Sequence, residues 1–112
     1  MDDCIFCKIV NGEIPTKFIY QDENLVAFKD IKPIAPVHIL IVPKKHISSL
    51  LEVSEEDREL LGEALLLAKK LAEQEKIADK GYRIGINVGK AGGQLVFHLH
   101  IHLIGGWKGG VR

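Results

Sequence analysis

The sequence predicts an α+β fold: a mainly antiparallel sheet with helix packed on one face. Three observations carry that reading. Short runs rich in branched and aromatic residues lie on both sides of a single long stretch of helical periodicity. The repeated strand–helix alternation of a doubly wound sheet is absent. The chain has 112 residues, 46% hydrophobic and 27% charged, which suits one core and a single domain over residues 1–112.

Taken in order, Cys4 to Val10 forms one or two helical turns, stopped by Asn11-Gly12, and Gly12-Glu13-Ile14-Pro15 is a turn. Phe18 to Gln21 and Leu25 to Asp30 are β-prone runs around the polar Asp22-Glu23-Asn24, so they pair as a hairpin. Lys32-Pro33-Ile34-Ala35-Pro36 is a loop, because each proline disfavours helix in the residue before it. Val37 to Pro43 is a branched, central strand. Ser54 caps a long helix whose first turn carries Glu55, Glu56 and Asp57, where the helix dipole favours acids. Leu60, Leu61, Ala64, Leu65, Ala68, Leu71 and Ala72 define its buried face. Glu63, Lys70, Glu73 and Lys76 lie opposite as a solvated surface, and Lys80-Gly81 ends the helix. Tyr82 to Val88 and His98 to Ile104 are the last two strands, separated by a loop over Gly89–Gly93.

Composition excludes several functions. Fifteen basic residues balance fifteen acidic ones, and zero net charge argues against nucleic-acid binding, which needs a basic surface. The longest nearly apolar stretch, Val37–Val42, is far short of the roughly 20 residues that span a membrane. Met1-Asp2-Asp3-Cys4 is acidic where a secretory leader is basic, so a cytoplasmic protein is expected. In that reducing setting the Cys4-x-x-Cys7 spacing suggests metal or redox chemistry rather than a structural disulfide.

The informative segment is His98-Leu99-His100-Ile101-His102-Leu103-Ile104. In a strand, alternate residues share a face, so three imidazoles project together while Leu99, Ile101 and Leu103 bury. Such a face suits either a metal held by three histidines or an anionic substrate attacked by one of them. Flanking histidines can donate to phosphoryl oxygens. Spacing by itself does not choose. Gly92-Gly93-Gln94-Leu95-Val96-Phe97 leads into the strand and can aim backbone N–H groups at phosphate, and Asn87 adds an amide donor nearby.

The histidine run, with Gly-Gln-x-Val-Phe before it, resembles the histidine triad nucleotide-binding proteins. The resemblance extends over nearly the whole chain. Ile5-Phe6-Cys7-Lys8-Ile9-Val10, Gly12-Glu13-Ile14-Pro15, Ala27-Phe28-Lys29-Asp30-Ile31, Pro33, Ala35-Pro36-Val37-His38 and Val42-Pro43-Lys44-Lys45-His46-Ile47 follow that family's pattern in its order.

The resemblance implies a five-stranded antiparallel sheet with one long helix and a short N-terminal helix, and a homodimer whose sheets join into ten strands. It implies hydrolysis at the α-phosphate of purine nucleoside phosphoramidates through a nucleotidyl-histidine. Cleavage of dinucleoside polyphosphates and a nucleotide-binding scaffold are the alternatives. His100 would be the nucleophile, His102 would contact the phosphate or leaving group, and His38 would support His100. Asp30 would hold the ribose hydroxyls, and Ile31, Phe28 and Ile9 would wall the base. Asn87, Gln94 and the Val96 N–H would hold phosphate. Leu95 stands where many phosphoramidases of the family have a serine that assists the leaving group. Trp107 lies in a short tail, a region that in the family helps set specificity. Bacterial relatives with the cysteine pair imply a closed structural zinc site from Cys4, Cys7, His46 and His98, with no catalytic metal.

Overall fold

The sheet is built around the strand that is most apolar in sequence. A computed structural model, describing residues 3–109, contains helix α1 (Ile5–Val10), strands β1 (Tyr20–Gln21), β2 (Leu25–Lys29) and β3 (Val37–Pro43), helix α2 (Arg58–Gln74), and strands β4 (Tyr82–Gly85) and β5 (Ile101–Gly105). The five strands form one sheet in the order β1-β2-β3-β5-β4, every neighbouring pair antiparallel. β3 is therefore central, as its composition predicts, and β1 and β4 are edges.

The period of two sorts residues into two cores. Leu25 and Ala27 of β2, Ile39 and Ile41 of β3, and Ile101 and Leu103 of β5 face α2, where they meet Ala64, Leu67, Ala68, Leu71 and Ala72. The other face carries Val26, Phe28, Leu40 and Val42, covered by Phe6 and Ile9 of α1. Only this second face includes histidines. His38 pairs with Ile104 and Leu40 with His102, which makes His38 and His102 diagonal neighbours.

The helix face and several element boundaries differ from expectation. Leu65 is 48% exposed, and Leu67 occupies the buried position instead, one turn from Ala64 and Leu71. α2 begins after a 3-10 turn, Glu55–Asp57, in which the Asp57 carboxylate accepts from the Ser54 N–H at 3.1 Å. It ends at Gln74 rather than Gly81. Lys76 adopts a left-handed φ of 62°, while the N–H groups of Ile77 and Lys76 donate to Ala72 and Glu73 carbonyls at 3.0 and 3.1 Å. This Schellman turn brings Ile77 back into the α2 core, and a lysine at its left-handed position hides it from a search for glycine. Finally, the ladders of β4 and β5 are shorter than expected. β4 stops at Gly85 and β5 starts at Ile101, so His98 and His100 precede the strand proper. The Leu99 N–H is held instead by the Ile47 carbonyl at 2.6 Å.

Candidate functional site

The histidines divide into two groups, His46 with His98 and His38 with His100 and His102. His98 is fully buried, and its Nε2 lies 2.7 Å from the Pro43 carbonyl. A carbonyl only accepts, so Nε2 carries the ring hydrogen and the Nδ1 lone pair is free. That Nδ1 lies 3.2 Å from His46 Nδ1, 3.4 Å from Cys4 Sγ and 3.6 Å from Cys7 Sγ, while Cys7 Sγ is 3.2 Å from His46 Nδ1. All four donor atoms fall within 4.8 Å of one another.

The spacing fits a metal. Tetrahedral bonds of about 2.0 Å to nitrogen and about 2.3 Å to sulfur put ligand atoms about 3.3 Å apart (N to N) and about 3.5 Å apart (N to S). The Pro43 carbonyl supplies the outer hydrogen bond that orients a ligating imidazole. Burial and the neighbouring Cys4 push the Cys7 thiol up to about 11, a cost that a bound cation reverses by taking the thiolate. Cys4, Cys7, His46 and His98 can therefore hold a metal ion, with all four positions filled by protein.

His100 points the other way. Its Nδ1 donates to the His98 carbonyl at 2.8 Å, which leaves the Nε2 lone pair as a nucleophile or base. Burial lowers its pKa, with the His98 carbonyl opposing, so the ring is held neutral. The His102 ring lies 5.0 Å from His100 and 5.2 Å from His38, centroid to centroid. Burial first, then the nearby His100 and His38, push His102 down to about 4. His38 is also lowered by burial, against the pull of Asp30.

Asp30, His38 and His102 likewise converge within 4.8 Å. Their hydrogen bonds read as a relay. The Ile34 N–H donates to His38 Nδ1 at 3.2 Å, so His38 Nε2 carries the hydrogen. It faces His102 Nδ1 at 2.9 Å and Asp30 Oδ2 at 3.4 Å. A protonated Nε2 has no lone pair for a metal, and His102 is left with its hydrogen on Nε2.

These groups open on a cavity of about 610 Å³. Phe28, Ile9 and Ile31 line it together with Asp30, Asn87, Leu95 and Val96. Lys29, Lys32 and Arg83 also line it, so a chain with no net charge still gathers cations at this opening. Ile31 and Leu95 are each 91% exposed, forming an apolar rim.

Gln94 departs from the expectation that it holds phosphate. It is buried, and its Nε2 donates to the Ser48 and Val96 carbonyls at 2.7 and 3.0 Å, while Oε1 accepts from the Gly89 N–H at 2.9 Å. Both amide hydrogens are engaged within the protein, so Gln94 braces the loop that it was expected to arm. Asn87 Nδ2 donates to the Gly92 carbonyl at 2.9 Å and still borders the cavity. Trp107 lies under Arg83, whose guanidinium sits 5.7 Å from the ring.

Sequence reasoning overlooked Phe6 and Leu40 as cavity-lining residues. Leu40 was legible, being two residues after His38 in one strand and so on the same face. Phe6, enclosed by the cysteines, looks in sequence like ordinary packing. The Pro43 carbonyl and Ile34 N–H are backbone groups, on which side-chain identity is silent.

Comparison with known proteins places this arrangement. The HIT domain family model matches residues 11–109. The purine nucleoside phosphoramidase of Escherichia coli K12 is 48% identical over 105 residues, covering 94% of this chain and 88% of that one. A crystal structure of a HIT family hydrolase from Legionella pneumophila superposes with a TM-score of 0.92 at 50% identity, covering 95% of each chain. A zinc-bound histidine triad family protein from Mycobacterium smegmatis has a TM-score of 0.82 at 34% identity, covering 96% of this chain and 78% of that one.

Proposed function

Since the chain belongs to the HIT domain family, we propose that it is a hydrolase of purine nucleoside phosphoramidates acting through a nucleotidyl-His100 intermediate. The observation that carries this reading is the 2.8 Å hydrogen bond from His100 Nδ1 to the His98 carbonyl, which leaves Nε2 unprotonated beside the cavity. The name of the Escherichia coli relative supports the substrate class.

In the proposed reaction the Nε2 lone pair attacks the α-phosphorus. The P–N bond breaks, and the amine leaves with that electron pair and takes a proton from solvent. Water then attacks the nucleotidyl-imidazole: its oxygen joins phosphorus, the P–Nε2 bond breaks with its electron pair returning to His100 Nε2, and the water's proton passes to solvent as the nucleoside monophosphate leaves. The covalent step splits one difficult displacement into two. His102, held neutral, serves as an Nε2–H hydrogen-bond donor to a phosphoryl oxygen rather than as an acid. Asp30 accepts from the ribose hydroxyls, and Phe28, Ile9 and Ile31 wall the base. Lys29, Lys32 and Arg83 add positive potential at the opening.

Zinc is the proposed occupant of the Cys4–Cys7–His46–His98 cluster. A closed set of two thiolates and two imidazoles suits that ion in a structural role. A homodimer is proposed as well, joined through the free edge of β4 and the α2 surface. The exposed Leu65, Leu66 and Ile84 support it, at 48%, 68% and 37%.

Intact-mass spectrometry during turnover of an adenosine phosphoramidate tests the mechanism. The expected result is a nucleotidyl adduct mapped to His100, with His100→Asn forming none while still binding AMP. Undiminished turnover by His100→Asn overturns the covalent route.

A further inference from the structure

We infer that the metal cluster and the nucleotide cavity are thermodynamically linked: a divalent cation on Cys4, Cys7, His46 and His98 strengthens nucleotide binding, and the nucleotide strengthens cation binding by the same factor. The inference rests on the nucleotide reading above and adds a form of control to that site.

The two sites share parts rather than merely lying close. α1 has six residues, too few to hold a helix by its own hydrogen bonds. Cys4 caps it, its Sγ accepting from the Cys7 N–H at 3.3 Å, and Cys7 lies within it, so two of the four donor atoms belong to this one turn. The residues between and after them, Phe6 and Ile9, face the cavity. A cation that fixes Cys4 and Cys7 therefore also fixes the surface on which a base would rest.

Phe6 carries the connection into the catalytic group. Its ring meets Phe28 at 5.7 Å and 77°, His98 at 6.0 Å and 68°, and His100 at 5.0 Å and 89°, all edge to face. One aromatic side chain thus touches a metal-site histidine, the proposed nucleophile and the proposed base wall. His98 supplies a second connection, because its ring belongs to the cluster and its carbonyl sets the orientation of His100.

The sign follows from ordering. Phe6 and Ile9 already seat α1 on the sheet, so each ligand acts by narrowing the remaining motion of this one turn, and the second to bind meets a surface the first has ordered. Positive coupling results, and linkage makes it reciprocal.

The test uses the full-length zinc-loaded protein. Zinc affinity is measured by competition with a chromophoric chelator, with and without saturating AMP, and AMP affinity is measured by calorimetry on loaded and chelated protein. Both are expected to tighten by a common factor of about five or more. Phe6→Leu keeps an apolar side chain but removes the edge contacts, and is expected to bring that factor toward one. An unchanged zinc affinity, with AMP binding the loaded protein normally, overturns the linkage alone. A factor retained in full by Phe6→Leu overturns the route through α1. Failure of AMP to bind the loaded protein overturns the nucleotide reading and the linkage with it.

Discussion

His38 Nε2 lies 2.9 Å from His102 Nδ1, and the hydrogen between them belongs to His38. The Ile34 N–H, 3.2 Å from His38 Nδ1, decides this, since a ring nitrogen that accepts has no hydrogen of its own. Three consecutive donors, from backbone to His38 to His102, thereby set the tautomers of two rings that line the cavity. The arrangement holds while both rings are neutral, which has a consequence for acid stability.

His102 has a folded-state pKa near 4, below the ordinary histidine value of about 6.5. Between those values the unfolded chain binds more protons than the folded one, so stability rises with pH. It is fully present above about pH 6.5 and falls as the pH drops toward 4. His38 and His100 are lowered too and add in the same direction. Thermal melts should show the Tm falling between pH 6.5 and 5, above the main carboxylate range. His102→Gln should flatten that slope, and an equal slope in the variant counts against His102 as its source.

Gln94 joins three backbone groups and is 3% exposed. Gln94→Ala leaves the Ser48 and Val96 carbonyls and the Gly89 N–H without this partner, and an unpaired buried polar group costs about 1–3 kcal/mol. A loss of about 2–4 kcal/mol in urea unfolding is expected, with nucleotide affinity reduced less than stability. A variant that folds as well as the parent yet loses phosphate binding would restore Gln94 to the ligand.

Gly92 has no room for a side chain. A Cβ there would lie 2.2 Å from the Val88 carbonyl oxygen, a backbone atom that cannot rotate aside. Gly92→Ala should therefore displace the loop whose Gly92 carbonyl Asn87 holds, cutting kcat/KM by roughly tenfold or more, since small misplacements at a reacting centre are costly. Near-parental kinetics would show that the loop does not position the phosphate.

Leu95 is 91% exposed at the cavity rim and has no hydrogen to donate. With Leu95→Ser, a hydroxyl can assist the departing nitrogen, a gain of about 100-fold, at the lower end of what positioned proton transfer contributes. The gain should be largest for strongly basic amines and smallest for good leaving groups. A uniform change across amines of different basicity points instead to an effect on binding.

Much of this molecule is local and was legible in the sequence. Alternation predicted that Leu99, Ile101 and Leu103 bury while His102 faces the other way, because side-chain direction in a strand depends only on parity. The order of separated motifs identified the family, and the five-stranded sheet with one long helix followed. What the sequence did not convey depends on backbone groups or on distant segments meeting. The end of α2 depends on a left-handed lysine, which composition does not flag. Gln94 looked like a ligand because its identity does not reveal which carbonyls surround it. The division of the triad is the clearest case. The resemblance assigned His98 to zinc, but only the folded chain brings Cys4, Cys7, His46 and His98 within 4.8 Å and turns the His98 carbonyl toward His100 Nδ1. Periodicity reports which way a side chain points; tautomers, cavities and shared contacts arise only when residues far apart in sequence are packed together.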